Sequence, residues 1–357
     1  MSVIPKCPYF GSCGGCQHQD VAYDEQLSRK QALLKELYHQ EVPVRAHPTS
    51  YEYRNRMDFV CTPKGIGLRG DDYNDVIDIN HCAIANKAIN QSLQKVREWV
   101  DEHSIPLYDL KSHEGFLRYV VIRGDEQEVQ VTLTTKDYSH EQEITQLADQ
   151  LAVTSLVWTI EESQSNQSIG SETHKVFGKD SIKLSLADKQ FLIDPHTFFQ
   201  TSPYMAEQAI QAIREHVPKN TPVYDLYCGV GVLGQCVAQE VVGVDSVAES
   251  IQQARKNAKH NEVEATYHCA DAAAWLLGHQ PEVVLVDPPR AGLGVGAQGL
   301  LAAKPKKIIY LSCNPKSQKR DVVRLEQAYE VTHLEAFDFF AHTPHVECLV
   351  VLELNDK

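Results

Sequence analysis

The stretch VYDLYCGVGVLG, residues 223–234, decides the fold. Four residues of strand character run into a turn carrying Gly229, Gly231 and Gly234, and a helical pattern follows. Missing Cβ atoms in such a turn let a ligand approach the backbone. The next apolar run, Val241-Val242-Gly243-Val244-Asp245, ends in an acid 20 residues after Asp225, placed to accept hydrogen bonds from a ribose diol. Together they describe a nucleoside site, although the spacing alone also fits a dinucleotide fold. From Pro203 onward apolar strands alternate with helical segments, the pattern of a doubly wound parallel sheet.

Two further stretches belong with it. VVLVDPPR, 283–290, is a buried strand whose carboxyl end carries Asp287 and two prolines, at the edge where open α/β sheets bind ligands. Such a turn can also simply end a strand rigidly. Enzymes that methylate exocyclic amines follow this turn with an aromatic residue that stacks on the base; Arg290 stands here instead, which disfavours that chemistry. KIIYLSCNPKSQKR, 307–320, brings an apolar strand up to Cys313 and then a run of Lys316, Lys319 and Arg320. A lone cysteine at a strand end is most often a small buried hydrophobe.

The chain has 357 residues, 43% hydrophobic and 23% charged, enough for two domains of ordinary globular composition. No secretory signal or membrane-length apolar run is present, so a cytoplasmic protein without membrane association is expected. Ten scattered cysteines then favour metal binding or catalysis over a disulfide framework. A net charge of −14 argues against indiscriminate polyanion binding and confines any nucleic-acid site to a local patch.

Along the chain, 1–20 is loop-like and cysteine-rich, 23–39 reads as a helix, and 50–82 is rich in strand patterns. Alternation at 118–123 and 128–133 predicts half-buried strands, with helices over 83–102 and 140–151, and 163–171 reads as a solvated loop. The expected organisation is a cysteine-rich segment with the start of a central domain over 1–82, an α+β RNA-binding domain over 83–200, and an α/β domain over 201–357. The change of pattern falls near 190–205.

Five motifs in order carry a resemblance: FFQTSP (198–203), DLYCGVG (225–231), DPPRAG (287–292), SCNP (312–315) and HTPHVE (342–347). Together they resemble the RNA uracil-C5 methyltransferases that use S-adenosylmethionine. The resemblance implies a Rossmann-like class I methyltransferase domain, with Gln200, Tyr227, Asp245 and Asp287 lining the S-adenosylmethionine site, Cys313 as nucleophile and Glu347 as proton-abstracting base. The family usually has glutamate where this chain has Asp245. The chemistry supplies its own reason for a thiol: C5 of uracil is too weak a nucleophile to attack a methyl sulfonium until a thiolate has added to C6. Lys316, Lys319, Arg320 and a following helix N-terminus are suited to lowering the pKa of Cys313 and to holding RNA phosphates. Cys228 is read as structural, and His342 and His345 as hydrogen-bonding loop residues.

CPYFGSCGGC, 7–16, sets Cys7, Cys13 and Cys16 in a C-x5-C-x2-C spacing suited to a cluster or zinc. The resemblance implies a [4Fe-4S] cluster with Cys82, rather than Cys61, as fourth ligand; zinc is the alternative by ligand type. Tyr53-Arg54-Asn55-Arg56-Met57-Asp58-Phe59 interleaves bases with aromatics in a composition suited to RNA. Only six residues precede Cys7, so the RNA-binding barrel that some members carry there is expected to be missing. Length, cluster motif and missing barrel most resemble the group that methylates a loop uridine of 23S ribosomal RNA. The alternative within the class is the T-loop uridine of transfer RNA. A non-catalytic iron–sulfur RNA-binding protein would require loss of Cys313, Glu347 or Gln200, and all three are present. A monomer is expected.

Overall fold

Runs such as VVLV at 283–286 and KIIYLS at 307–312 have no polar face, as parallel strands covered on both sides require. In the computed structural model, which describes residues 2–72 and 75–355, both are strands. The elements begin with α1 (Tyr23–Tyr38), β1 (Val44–Arg45), β2 (Arg56–Thr62), β3 (Gly65–Arg69), β4 (Val76–Asp78) and α2 (Lys87–His103). Next come β5 (Leu117–Gly124), β6 (Val129–Thr135), α3 (Glu141–Gln150), β7 (Ser155–Ile160), β8 (Glu172–Gly178), β9 (Ile182–Leu186) and β10 (Lys189–Ile193). Then follow α4 (Pro203–His216), β11 (Val223–Leu226), α5 (Val232–Val237), β12 (Glu240–Asp245), α6 (Ala248–His260), β13 (Glu264–Cys269) and α7 (Ala272–Leu276). The last are β14 (Val283–Val286), α8 (Gly296–Ala303), β15 (Lys307–Ser312), α9 (Pro315–Leu325), β16 (Tyr329–Phe337) and β17 (Glu347–Leu354).

The chain divides into two compact units: Met1–Ala22 with Thr49–Leu184 and Ile193–His196, and Tyr23–Pro48 with Ser185–Leu192 and Thr197–Lys357. The first holds a sheet in the order β4-β3-β2-β5-β6-β7-β8, antiparallel except for β6 beside β7. Its middle strands are not half-solvated as their alternation suggested, because β5 is buried along its whole length and α2 packs on it. Arg118 is buried and donates to the carbonyls of Glu161, Ser163 and Ser165, over the ring of Tyr108. The serine-rich stretch expected to be a solvated loop is therefore docked by its backbone. In the 53–59 stretch Tyr53 and Phe59 are core residues and cannot stack on a base, while Arg56 is held by Asp58 at 2.8 and 2.9 Å.

The second unit holds the doubly wound sheet, in the order β1-β16-β17-β15-β14-β11-β12-β13. The strands from β15 to β13 run parallel, and β17 is antiparallel to both β15 and β16. Strand order reverses between β11 and β14, so a crevice opens at their carboxyl ends, where such sheets bind ligands. Leu226, Val244, Val284, Val286, Ile308 and Tyr310 form the core, and α1 adds Leu34 and Tyr38 to it. Residues 23–48 thus fold with the C-terminal unit, not with the cysteine-rich stretch before them. A buried ion pair fixes them: Lys30 Nζ lies 2.5 Å from Asp338 Oδ1, and Tyr23 donates to Asp338 Oδ2 at 2.8 Å. Among the described residues no helix is long and apolar enough to cross a membrane.

Removing one member of a buried pair leaves the other charge uncompensated, so Lys30→Met is expected to lower unfolding free energy by about 3–5 kcal/mol in urea. Adding Asp338→Asn should restore a large part of that loss; a double variant no more stable than the single one would show that the charge pair is not the cause.

Candidate active site

The glycine turn after β11 is held open by two acids. Asp225 is fully buried and accepts the Gly234 amide at 2.9 Å, while Asp245, at the end of β12, accepts the Gly229 amide at 2.9 Å and the Val247 amide at 2.9 Å. Burial, opposed by the Gly234 bond and reinforced by Asp287 and Asp245, pushes the Asp225 carboxyl up to about 7. Tyr227 follows at φ 63° and is half-buried. Gln200 is half-buried just ahead of α4. Asp287 directly follows β14 and is half-buried, and burial raises its pKa.

The register of β15 and β17 supplies the remaining pair. Their last partners are Ser312 and Cys348, and one step beyond along each chain lie Cys313 and Glu347, which emerge side by side although 34 residues apart. Glu347 is buried, its Oε2 has no hydrogen bond, and burial with the nearby Asp287 holds its carboxyl well above the usual range, opposed by Arg290. Burial, Glu347 and Asp287 push the Cys313 thiol up to about 11, while Arg290 and a backbone N–H pull it down.

The cation facing the thiol is therefore Arg290, not the run after Cys313. Lys319 pairs with Glu326 and lies over Tyr38, and Arg320 donates to Ala291 O at 2.6 Å. Arg290 also lies 3.4 Å from His345 Nδ1, and burial, Arg290 and Lys30 lower the pKa of that imidazole. Sequence reasoning named Asp225 and Arg290 only as parts of motifs; the Asp-Pro-Pro-Arg turn contained the signal for the latter. Cys228, in the glycine turn, is buried against Tyr267, and burial raises its pKa far above the ordinary thiol range.

The N-terminal thiols lie together in the first unit. Burial raises Cys16 to about 11, opposed by Gln19 and reinforced by Cys82, Cys13 and Cys7. Burial also raises the pKa of Cys13 and Cys82, opposed by the backbone N–H groups of Gly15 toward Cys13 and of Ile84 and Ala85 toward Cys82. Cys61 is buried apart, with Arg97 as its electrostatic neighbour. All-sulfur donors with amides turned to them suit a soft metal centre. Among the described residues, however, no three His, Cys, Asp or Glu side chains are arranged to hold a metal ion.

Family models for tRNA (Uracil-5-)-methyltransferase and for a methyltransferase small domain match residues 272–355 and 204–301. The tRNA (uracil(54)-C(5))-methyltransferase of Pyrococcus horikoshii is 37% identical over 364 residues, covering 99% of this chain and 86% of that protein. An uncharacterized RNA methyltransferase of Bacillus anthracis is 35% identical, covering 98% and 83%. The crystal structure of Pyrococcus abyssi tRNA (uracil-54, C5)-methyltransferase in complex with S-adenosyl-L-homocysteine superposes with a TM-score of 0.87 at 34% identity, covering 96% of this chain and 86% of that one. With that similarity covering 96–99% of this chain and 86% of those two Pyrococcus proteins, this chain belongs to the family of S-adenosylmethionine-dependent RNA uracil-C5 methyltransferases.

Proposed function

We propose that the substrate is a T-loop uridine of transfer RNA, with Cys313 as nucleophile and Glu347 as base. The ribosomal target expected from subgroup features gives way because the relatives in Pyrococcus are named for uracil 54 of transfer RNA. The observation that supports the catalytic assignment is the β15–β17 register, which brings a thiol and a carboxylate whose Oε2 has no hydrogen bond to one edge of the sheet.

The uridine must leave its stack for Cys313 to reach C6, which suits a loop nucleotide. Addition of the thiolate forms a bond from Sγ to C6 and shifts the C5–C6 π electrons toward C5 and O4, making C5 nucleophilic. Gln200, Tyr227, Asp245 and Asp287 would hold S-adenosylmethionine, which supplies the methyl group and a positive sulfonium that offsets the carboxylate field at the thiol. Once C5 carries the methyl group, Glu347 takes the C5 proton, the electron pair reforms C5=C6, and the thiolate leaves. Burial and Asp287 raise the proton affinity of Glu347, which makes its carboxylate a stronger base, and Arg290 opposes that rise. Cys7, Cys13, Cys16 and Cys82 would hold a [4Fe-4S] cluster of structural or RNA-contacting role.

Mapping 5-methyluridine in transfer and ribosomal RNA of a deletion strain tests the target. Loss from the T-loop alone is expected; loss confined to 23S RNA would sink the transfer RNA reading.

A denaturing gel tests the two roles. Cys313→Ala should give no covalent complex with RNA, Glu347→Gln should accumulate one, and RNA carrying 5-fluorouridine should trap the unaltered enzyme, because fluorine cannot leave as a proton. An adduct formed by Cys313→Ala would remove the nucleophile assignment.

Protein purified without oxygen should be brown and hold about four irons. Cys82→Ser should lose the metal and Cys61→Ser should keep it; stoichiometric zinc without iron would exclude the cluster.

A further inference from the structure

The turn after β14 is laced to the helix that follows Cys313. Asn314 Nδ2 and Ser317 Oγ donate to Arg290 O at 2.9 and 3.0 Å, and Arg324 donates to Gly294 O at 3.4 Å. Asn314 and Arg324 lie toward the surface, whereas Ser317 is buried and Asp321, on the same helix, is fully buried. Its Oδ2 accepts the Leu293 amide at 2.7 Å and the Tyr310 hydroxyl at 3.1 Å. Tyr310 lies in β15, three residues before Cys313, so one carboxylate joins turn, strand and helix. Gly292, at φ 85°, is required by the same arrangement, since a Cβ there would collide with Asp321 Oδ2. Oδ1 accepts no hydrogen bond and faces Arg320 Nε at 3.6 Å and Arg324 at 3.9 Å.

We propose that Asp321 is a positioning residue: by tying the 290–294 turn to β15 and α9, it holds Arg290, whose carbonyl accepts from Asn314 Nδ2, at the strand edge next to Cys313. This rests on the catalytic reading above. The groups acting on the thiol are Glu347 from β17 and Asp287 and Arg290 from the end of β14, and Arg290 alone of these side chains favours the thiolate. A turn released from α9 leaves the two carboxylates to dominate, so thiolate formation moves to higher pH.

The test compares Asp321→Ser with Asp321→Asn, which keeps both accepted hydrogen bonds, at saturating transfer RNA carrying 5-fluorouridine and saturating S-adenosylmethionine. For Asp321→Ser the rate of adduct formation should fall about 10- to 100-fold through misplacement of the reacting groups, with KM for RNA within about twofold. Its pH profile should move to higher pH. Asp321→Asn should stay within about threefold of the unaltered rate. Tyr310→Phe, which deletes one donor without changing shape, should give a smaller displacement of the same sign, and it carries the test if Asp321→Ser loses cooperative melting. Unaltered rate and pH dependence in the Ser and Phe variants, or an Asn variant as slow as Ser, would overturn the inference. Failure of the catalytic reading is separable, since Cys313→Ala would then form the adduct in the same gel.

Discussion

One strand register governs the site. Side chains alternate faces along a strand, so a slip of one residue between β15 and β17 would carry Glu347 away from Cys313. The register is locked at the residues that matter. Gln318 is fully buried and its amide donates both to Tyr310 O at 2.8 Å and to Cys348 O at 3.0 Å, bridging the two strands three residues before the thiol on one and one residue after the carboxylate on the other. Tyr38 from α1 donates to Gln318 Oε1 at 2.8 Å and so fixes which way the amide faces. A helix far away in sequence thereby specifies the geometry of the site.

The same edge of the sheet concentrates acid. Asp225, Asp287 and Glu347 all have raised proton affinity, chiefly because burial penalises their charged forms. A carboxyl whose folded pKa lies above its unfolded value keeps its proton where the unfolded chain has released it, so stability falls as pH rises from about 4 toward 7. For Asp225 a rise to about 7 corresponds to a penalty on the order of 4 kcal/mol at neutral pH. That cost is borne by the apolar core of β11, β14 and β15.

The doubly wound half of the fold was legible because its strands are continuous apolar runs broken by glycine and proline, a signal carried within each segment. The 23–48 stretch was not. Its helix shows an ordinary amphipathic pattern, and nothing local reveals that Lys30 turns inward, since its partner Asp338 lies 308 residues on. Arg118 misled in the same way. Alternation assigns a charged residue to solvent, but a guanidinium can be buried when backbone carbonyls satisfy it, and here those carbonyls are 43–47 residues later.

At the candidate site, motifs singled out Cys313 and Glu347, while the groups around them were not legible. The basic run after Cys313 suggested a thiol made acidic by its neighbours in sequence. Helical geometry instead directs Lys319 to Glu326 and Arg320 to the Ala291 carbonyl, and the parallel pairing of β14 with β15 places Arg290 near the thiol from a strand that precedes it in the chain. Proximity in sequence predicts a side chain's electrostatic partner only when the backbone carries both to the same face. In a parallel sheet the residues that share an edge are those ending neighbouring strands, so the groups that tune Cys313 are found at the carboxyl end of β14 and across β17 rather than along its own helix.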